Sequence, residues 1–265
     1  MARVGAAGGA GVRVLRWFLL PLVLIGVWWA ASAGGTNFYL PTPGAVLRAV
    51  GPTWTPATLR ADVLPSVARL LAGFTVAGLV GVAAGVAIGL SPALRAYTEP
   101  VLEFLRAIPP PVLVPVVMLF AGIDNTMKVT VIVFGCVWPV LLNTIEGVRA
   151  VDPVLGEVCR AYRISGWTRL RTLVLRGASP QIMTGLRQAL AIAIILMVIS
   201  EMFAASSGLG FTIVQFQRGY AIPEMWTGIV LLGLLGVALA GLFGLGERVV
   251  LRWYFGLRRS GRGAP

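Results

Sequence analysis

Polar positions along this chain are sparse and gathered into clusters, and between the clusters run apolar stretches. A bilayer needs about 20 such residues for one helical crossing. Six stretches meet that length or come close: residues 17–33, 70–90, 101–122, 127–145, 182–205 and 225–245. In hydrocarbon each backbone N–H and C=O must bond inside its own segment, so these stretches predict helices. A spanning barrel would show shorter segments of alternating polarity, and none is present. The expected fold is all-α and polytopic, with six transmembrane helices. Its layout is an N-terminal tail over 1–16, a first helix over 17–33, an external segment over 34–69, a core over 70–245 and a tail over 246–265. Within the core, residues 146–181 form a long polar loop.

Composition agrees. The 265 residues are 57% hydrophobic and 12% charged, with a mean hydropathy of +0.87, whereas soluble domains carry about 25% charge. The net charge of +12 raises the question of nucleic acid, but its distribution answers it. With the N-terminus inside, cytoplasmic segments hold Arg3, Arg13, Arg16 and Arg95, seven arginines from Arg149 to Arg187, and five from Arg248 to Arg262. Arg48, Arg60, Arg69, Lys128 and Arg218 fall outside. That asymmetry is the positive-inside pattern, and no basic helix stands apart from the membrane flanks for nucleic acid to grip. The 17–33 run ends in Ala31-Ser32-Ala33, as cleaved leaders do, but Trp17, Trp28 and Trp29 suit an uncleaved anchor.

Several chemistries are poorly served. There is no histidine, which removes the commonest general base and metal ligand, so no metal site is expected. Asp62, Asp124 and Asp152 fall in connecting segments, so an intramembrane enzyme is not expected. The one lysine, Lys128, is followed by Val129 in what reads as an external turn, and no glycine-rich phosphate loop precedes it. This chain binds no cofactor by that route. A self-contained channel or ion-driven carrier is the alternative reading of such a chain, although carriers usually show several intramembrane carboxylates and an internal repeat.

Inside the spans, Glu201 is a carboxylate close to the outer end of its helix. It must face a polar cavity or partner, or reach the outer headgroups. Pro109, Pro110 and Pro111, with Pro115 beyond them, break the third span, because proline removes a donor and clashes with the preceding turn. Arg106 stands just before the break. Arg106, Pro109, Pro115 and Glu201 are the candidate pathway residues. Gly81, Gly85 and Gly89, and likewise Gly236, Ala240 and Gly244, have the spacing that lets helices approach closely, within one chain or across a dimer.

The 146–181 loop opens with Asp152 as a cap and Pro153 at the first helical position. Ser165 and Gly166 can break the chain before a second short helix. A helix held at the cytoplasmic surface suits docking of another protein, or contact with anionic lipid. Here the sequence resembles the membrane (permease) subunit of ATP-binding cassette importers, whose loop reads roughly E-A-A, three residues, G, nine residues, I-x-L-P. Glu157-Val158-Cys159 is similar to the E-A-A and Leu173-Val174-Leu175 to the later apolar stretch. Arg163 stands where the glycine is expected and Arg176 where the proline is. Leu40-Pro41-Thr42-Pro43, Ser66 with Arg69, Gly73-Phe74, Arg106-Ala107-Ile108-Pro109, Ser200-Glu201-Met202 and Ser207-Gly208-Leu209-Gly210 resemble blocks of the nitrate, sulfonate and taurine class.

The resemblance implies a type I importer permease in a bacterial cytoplasmic membrane, with both termini cytoplasmic. It implies a second permease copy, ATPase subunits that use the ATP, an external solute-binding protein, and no nucleic acid. The coupling helix would run from Glu157 to Gly166, with Glu157, Val158, Cys159, Arg160, Ala161, Tyr162, Arg163, Ser165 and Gly166 meeting the ATPase. Glu201 weighs against a bare anion on its face, so sulfonates, nitrate and neutral or cationic heterocycles all stay open as solutes.

Overall fold

The computed structural model describes residues 8–35, 37–203, 205–254 and 256, the first eleven of these by backbone alone. Arg3, Arg258, Arg259 and Arg262, and the side chains of Arg13, Arg16 and Trp17, lie outside that description. In chain order the helices are α1 (Gly8–Ser32), α2 (Pro43–Thr53), α3 (Pro56–Thr58), α4 (Leu64–Leu90), α5 (Pro92–Ala107), α6 (Leu113–Ala121), α7 (Asn125–Arg149), α8 (Pro153–Ala161), α9 (Gly166–Arg169), α10 (Leu175–Phe203), α11 (Leu209–Arg218) and α12 (Ile222–Val250). π turns at Leu59–Val63 and Leu170–Val174 join α3 to α4 and α9 to α10 without a break. The chain falls into two compact units, Met1–Leu59 with Thr212–Val230, and Arg60–Phe211 with Leu231–Pro265.

The larger unit is organised by α7, which packs extensively against both α4 and α10. Its contact with α4 is built on glycine. A β-carbon at Gly73 would lie 2.6 Å from Ile132, at Gly81 2.8 Å from Val140, at Gly85 2.6 Å from Thr144 and at Gly89 2.8 Å from Val148. The partner number exceeds the glycine number by 59 every time, so α4 and α7 run parallel in fixed register. Small residues allow this approach, and the burial is dry: Leu70, Ala77, Val131, Ile132, Val140 and Met197 are shut away from solvent. The α10 helix runs antiparallel to α7, with Gly135 under Leu196 at one end and Gly147 under Gln181 at the other.

Because α4 and α7 are parallel, the chain between them must return the length of the core. It does so in two pieces. The amphipathic α5 and the apolar α6 meet at a 73° bend across Ile108–Pro109, and Pro110 packs against Gly135 of α7. The break expected at Pro109–Pro111 is present, and the third span departs from 101–122 at its start, since helix begins at Pro92. At about 1.5 Å per residue, neither piece matches a full single-helix crossing of about 20 residues. Among the described residues four helices are long and apolar enough to cross a membrane, and the bent pair makes a fifth. Leu19–Ser32 is the apolar part of α1 among the residues described with side chains, so a sixth crossing is not counted among the described residues. Lys128 also departs from expectation: it lies in the first turn of α7 and is buried, not in an external turn.

The smaller unit is held by tryptophans. Trp28 stacks on Trp226 at 5.3 Å and donates to Pro41 O at 3.0 Å. Trp226 donates to Tyr39 O at 3.1 Å, and Trp54 to Thr227 Oγ1 at 2.9 Å. Each indole is half-buried and satisfies its one donor, tying the segment after α1 to the start of α12.

Candidate functional site

At one end of the α4–α7–α10 core a buried ion pair gathers three separate stretches of chain. Arg69 on α4 is 7% exposed and Glu201 on α10 is 1% exposed. Arg69 Nη1 donates to Glu201 Oε1 at 2.6 Å and to Ser207 O at 3.1 Å. Its Nε donates to Asn125 Oδ1 at 2.7 Å and its Nη2 to Ser207 Oγ at 3.0 Å. The carboxylate also takes the Ser66 hydroxyl at 2.8 Å and Gly210 N at 3.0 Å. Leu209 N donates to Ser66 Oγ at 2.9 Å, and Gly208 N to Asp62 Oδ1 at 3.1 Å. A buried pair is tolerable only when its remaining donors and acceptors are satisfied in this way.

Glycine makes the cluster possible. Gly208 has φ of +125°, a conformation that L side chains rarely adopt. A β-carbon there would lie 2.4 Å from the Glu201 carboxyl carbon. At Gly210 it would lie 2.5 Å from Val198 O. The segment after α10 therefore folds back over its own carboxylate, and Glu201 is enclosed by protein on every side described.

At the opposite end of α7, Asp152 Oδ1 accepts from Val154 N at 2.8 Å and starts α8. The helix ends at Ala161, short of the expected 157–166. Ile164 N donates to Cys159 O and Arg163 N to Arg160 O, the paired closure that ends a helix on a left-handed residue. That residue is Arg163, at φ of +50°. Ser165 then caps α9, accepting from Thr168 N, so Gly166 opens the next helix rather than closing this one. Glu157 and Arg160 are both exposed and 3.8 Å apart, Cys159 is a free, half-buried thiol, and Ala161 and Ser165 are exposed. Val154, Leu155, Val158, Tyr162, Ile164 and Trp167 are exposed apolar side chains, with Tyr162 at 79% and Trp167 at 70%.

The other candidates divide. Arg106 is exposed and donates to Glu103 Oε2 at 2.7 Å. Pro109 and Pro115 are exposed. Gly81, Gly85 and Gly89 face α7 as described above. A β-carbon at Gly236 would meet nothing nearer than Ile194 at 3.7 Å, one at Gly244 nothing within 4 Å, and Ala240 is exposed, so that stripe makes no close contact among the described residues. Two polar side chains inside spans went unread in the sequence: Asn143 of α7 donates to Gln188 Oε1 of α10 at 3.3 Å. Arg69 read as one of several external arginines. Its place immediately before the 70–90 apolar run was the available signal for its burial, and its partners are distant in sequence.

Residues 77–249 match the family of binding-protein-dependent transport system inner membrane components. The chain is 32% identical over 244 residues to a putative aliphatic sulfonates transport permease of Escherichia coli, covering 91% of this chain and 92% of that one. It is 32% identical over 237 residues to the taurine transport system permease of the same organism, covering 87% and 85%. With the bicarbonate transport system permease of Synechococcus elongatus it shares 31% over 193 residues, covering 72% and 69%. Among solved structures, the methionine ABC transporter MetNI in an inward-facing conformation superposes with a TM-score of 0.61 at 20% identity, over 72% of this chain and 95% of that one. An amino acid ABC transporter superposes at 0.56 and 17%, over 77% and 97%. The long apolar helices, the parallel α4–α7 pair and these matches lead to one conclusion: this chain belongs to the inner-membrane permeases of binding-protein-dependent ABC importers.

Proposed function

We propose that the chain lines the translocation pathway of an importer for a small organic anion of the sulfonate kind, driven by a separate ATPase that docks on α8. The docking observation carries the reading. A short capped helix at one end of the core displays Val154, Leu155, Val158 and Tyr162 to solvent, and burial on a partner removes that apolar cost. Glu157, Arg160 and the backbone turn at Arg163 supply polar contacts around the apolar centre, and Ser165 with Gly166 fixes the direction in which α9 and α10 leave. Because α10 continues from this loop to Glu201, movement at α8 reaches the far end through one helix.

On this reading the termini are cytoplasmic, the Arg69–Glu201 end faces outward toward the binding protein, and two copies enclose the path. The wide apolar faces of α1 and α12, with Leu20, Leu22, Leu234 and Leu242 more than half exposed, suit lipid. The Asn143–Gln188 pair places amide groups at membrane depth, where a polar path uses them. The sulfonate-like solute is carried over from the relatives named above. The pairing of Glu201 with Arg69 removes the objection that a free carboxylate would repel an anion.

Co-purification tests the docking. With the cognate ATPase co-expressed, Val158→Asp is expected to leave insertion intact and to abolish recovery of the ATPase, while Gly244→Ala leaves recovery unchanged. Full recovery with Val158→Asp overturns the assignment of α8.

A further inference from the structure

The charges buried at the Arg69 end do not balance. Among the described residues three charged side chains are buried, Arg69, Lys128 and Glu201, one anion against two cations. Glu201 is taken by Arg69 and by Ser66 and Gly210. Lys128, at 3% exposure, makes no hydrogen bond or ion pair among the described residues. The register that sets Gly73 against Ile132 and Gly81 against Val140 carries Arg69 onto Lys128, so the two cations stand at one level of adjacent helices. Arg69 repels the Lys128 ammonium, and Glu201 and Asp124 attract it. Asp124 is exposed, and Asp62 is partly exposed and holds Gly208 N. Both are screened by water in a way the buried groups are not.

The Lys128 stem is buried while its ammonium keeps contact with solvent, and a cation held at such a depth without an anion of its own marks function more often than packing. The start of α7 adds positive potential where it sits. Asp124 precedes α7 without capping it by a side-chain hydrogen bond, so the first N–H groups of a 25-residue helix have no side-chain acceptor.

We infer that the N-terminal turn of α7 with Lys128 is an oxyanion site of the pathway, which takes the sulfonate head of the solute when the helix ends part. This rests on the importer reading. Lys128 supplies a charged donor, the first turn supplies N–H groups, and the Arg69–Glu201 pair fixes α4 and α10 around them while contributing no net charge. The site selects for charge and three-oxygen geometry rather than for the solute's carbon skeleton.

Binding of methanesulfonate and of dimethyl sulfone, its uncharged counterpart of the same size, to the full permease–ATPase complex in lipid nanodiscs tests this. The wild type is expected to bind methanesulfonate about 10-fold or more tightly than the sulfone. Lys128→Met loses that preference and Lys128→Arg keeps it, with Lys128→Gln replacing the Met variant if that one fails to assemble. No preference in the wild type, or a full preference in both neutral variants, overturns the site. ATPase stimulation of the wild-type complex by its binding protein reports separately on the importer reading. Stimulation without anion preference sinks only the site, and Lys128-dependent binding without stimulation sinks only the importer.

Discussion

The Arg69 guanidinium and the Glu201 carboxylate meet at 2.6 Å across 132 residues of sequence, both withdrawn from solvent. The contact closes one end of a three-helix core and holds the Ser207–Gly210 segment over it. Removing one partner leaves an uncompensated buried charge, which costs about 3–5 kcal/mol. Arg69→Met and Glu201→Gln are each expected to lower the thermal unfolding temperature in detergent sharply. The double neutral variant should lose far less than the sum, and additive losses would show that the two do not interact.

Gly85 and Gly244 look alike in sequence and differ in the fold. A β-carbon on Gly85 would lie 2.6 Å from Thr144 and 2.9 Å from the backbone oxygen of Leu141, while one on Gly244 meets nothing within 4 Å. Gly85→Ala is therefore expected to destabilise by about 1–3 kcal/mol. Gly244→Ala should stay within about 0.5 kcal/mol of the parent. Thermal unfolding of the two variants side by side checks this, and equal losses would contradict the parallel register.

Arg163 sits at the left-handed position that ends α8, a conformation costing about 1–2 kcal/mol for residues with a β-carbon. Arg163→Gly is expected to raise stability by about 1 kcal/mol with ATPase recovery retained. Arg163→Val is expected to lower both, since branched residues tolerate this conformation least. A protease-protection assay on the loop reads the difference, and equal behaviour of Gly and Val variants would rule the turn out as the cause.

Sequence made some of this legible and hid the rest for physical reasons. Apolar runs of sufficient length report helices, and α4, α7, α10 and α12 appear where those runs lie. Asp152-Pro153 signals the start of α8 because capping is local chemistry. The proline run announces a break, but not that α5 would begin at Pro92 or turn by 73°. The Ser66–Arg69, Glu201 and Ser207–Gly210 stretches each stood out in the sequence, and their meeting did not, since it depends on how α4 and α10 lie against α7. Lys128 misled for the same reason: a lone lysine after a turn reads as exposed until a neighbouring helix covers it. The shift of the α8 terminus to Ala161 has its cause in Arg163, whose left-handed backbone no periodicity reveals.

Solute accumulation in proteoliposomes is the most direct measurement of the central claim. The permease is reconstituted with its ATPase and binding protein, and uptake of a radiolabelled sulfonate bound by that protein is followed. Uptake against a gradient on addition of ATP, and none when either the ATPase or the binding protein is left out, is the predicted result. Solute flux through the permease alone, without ATPase or ATP, would contradict it.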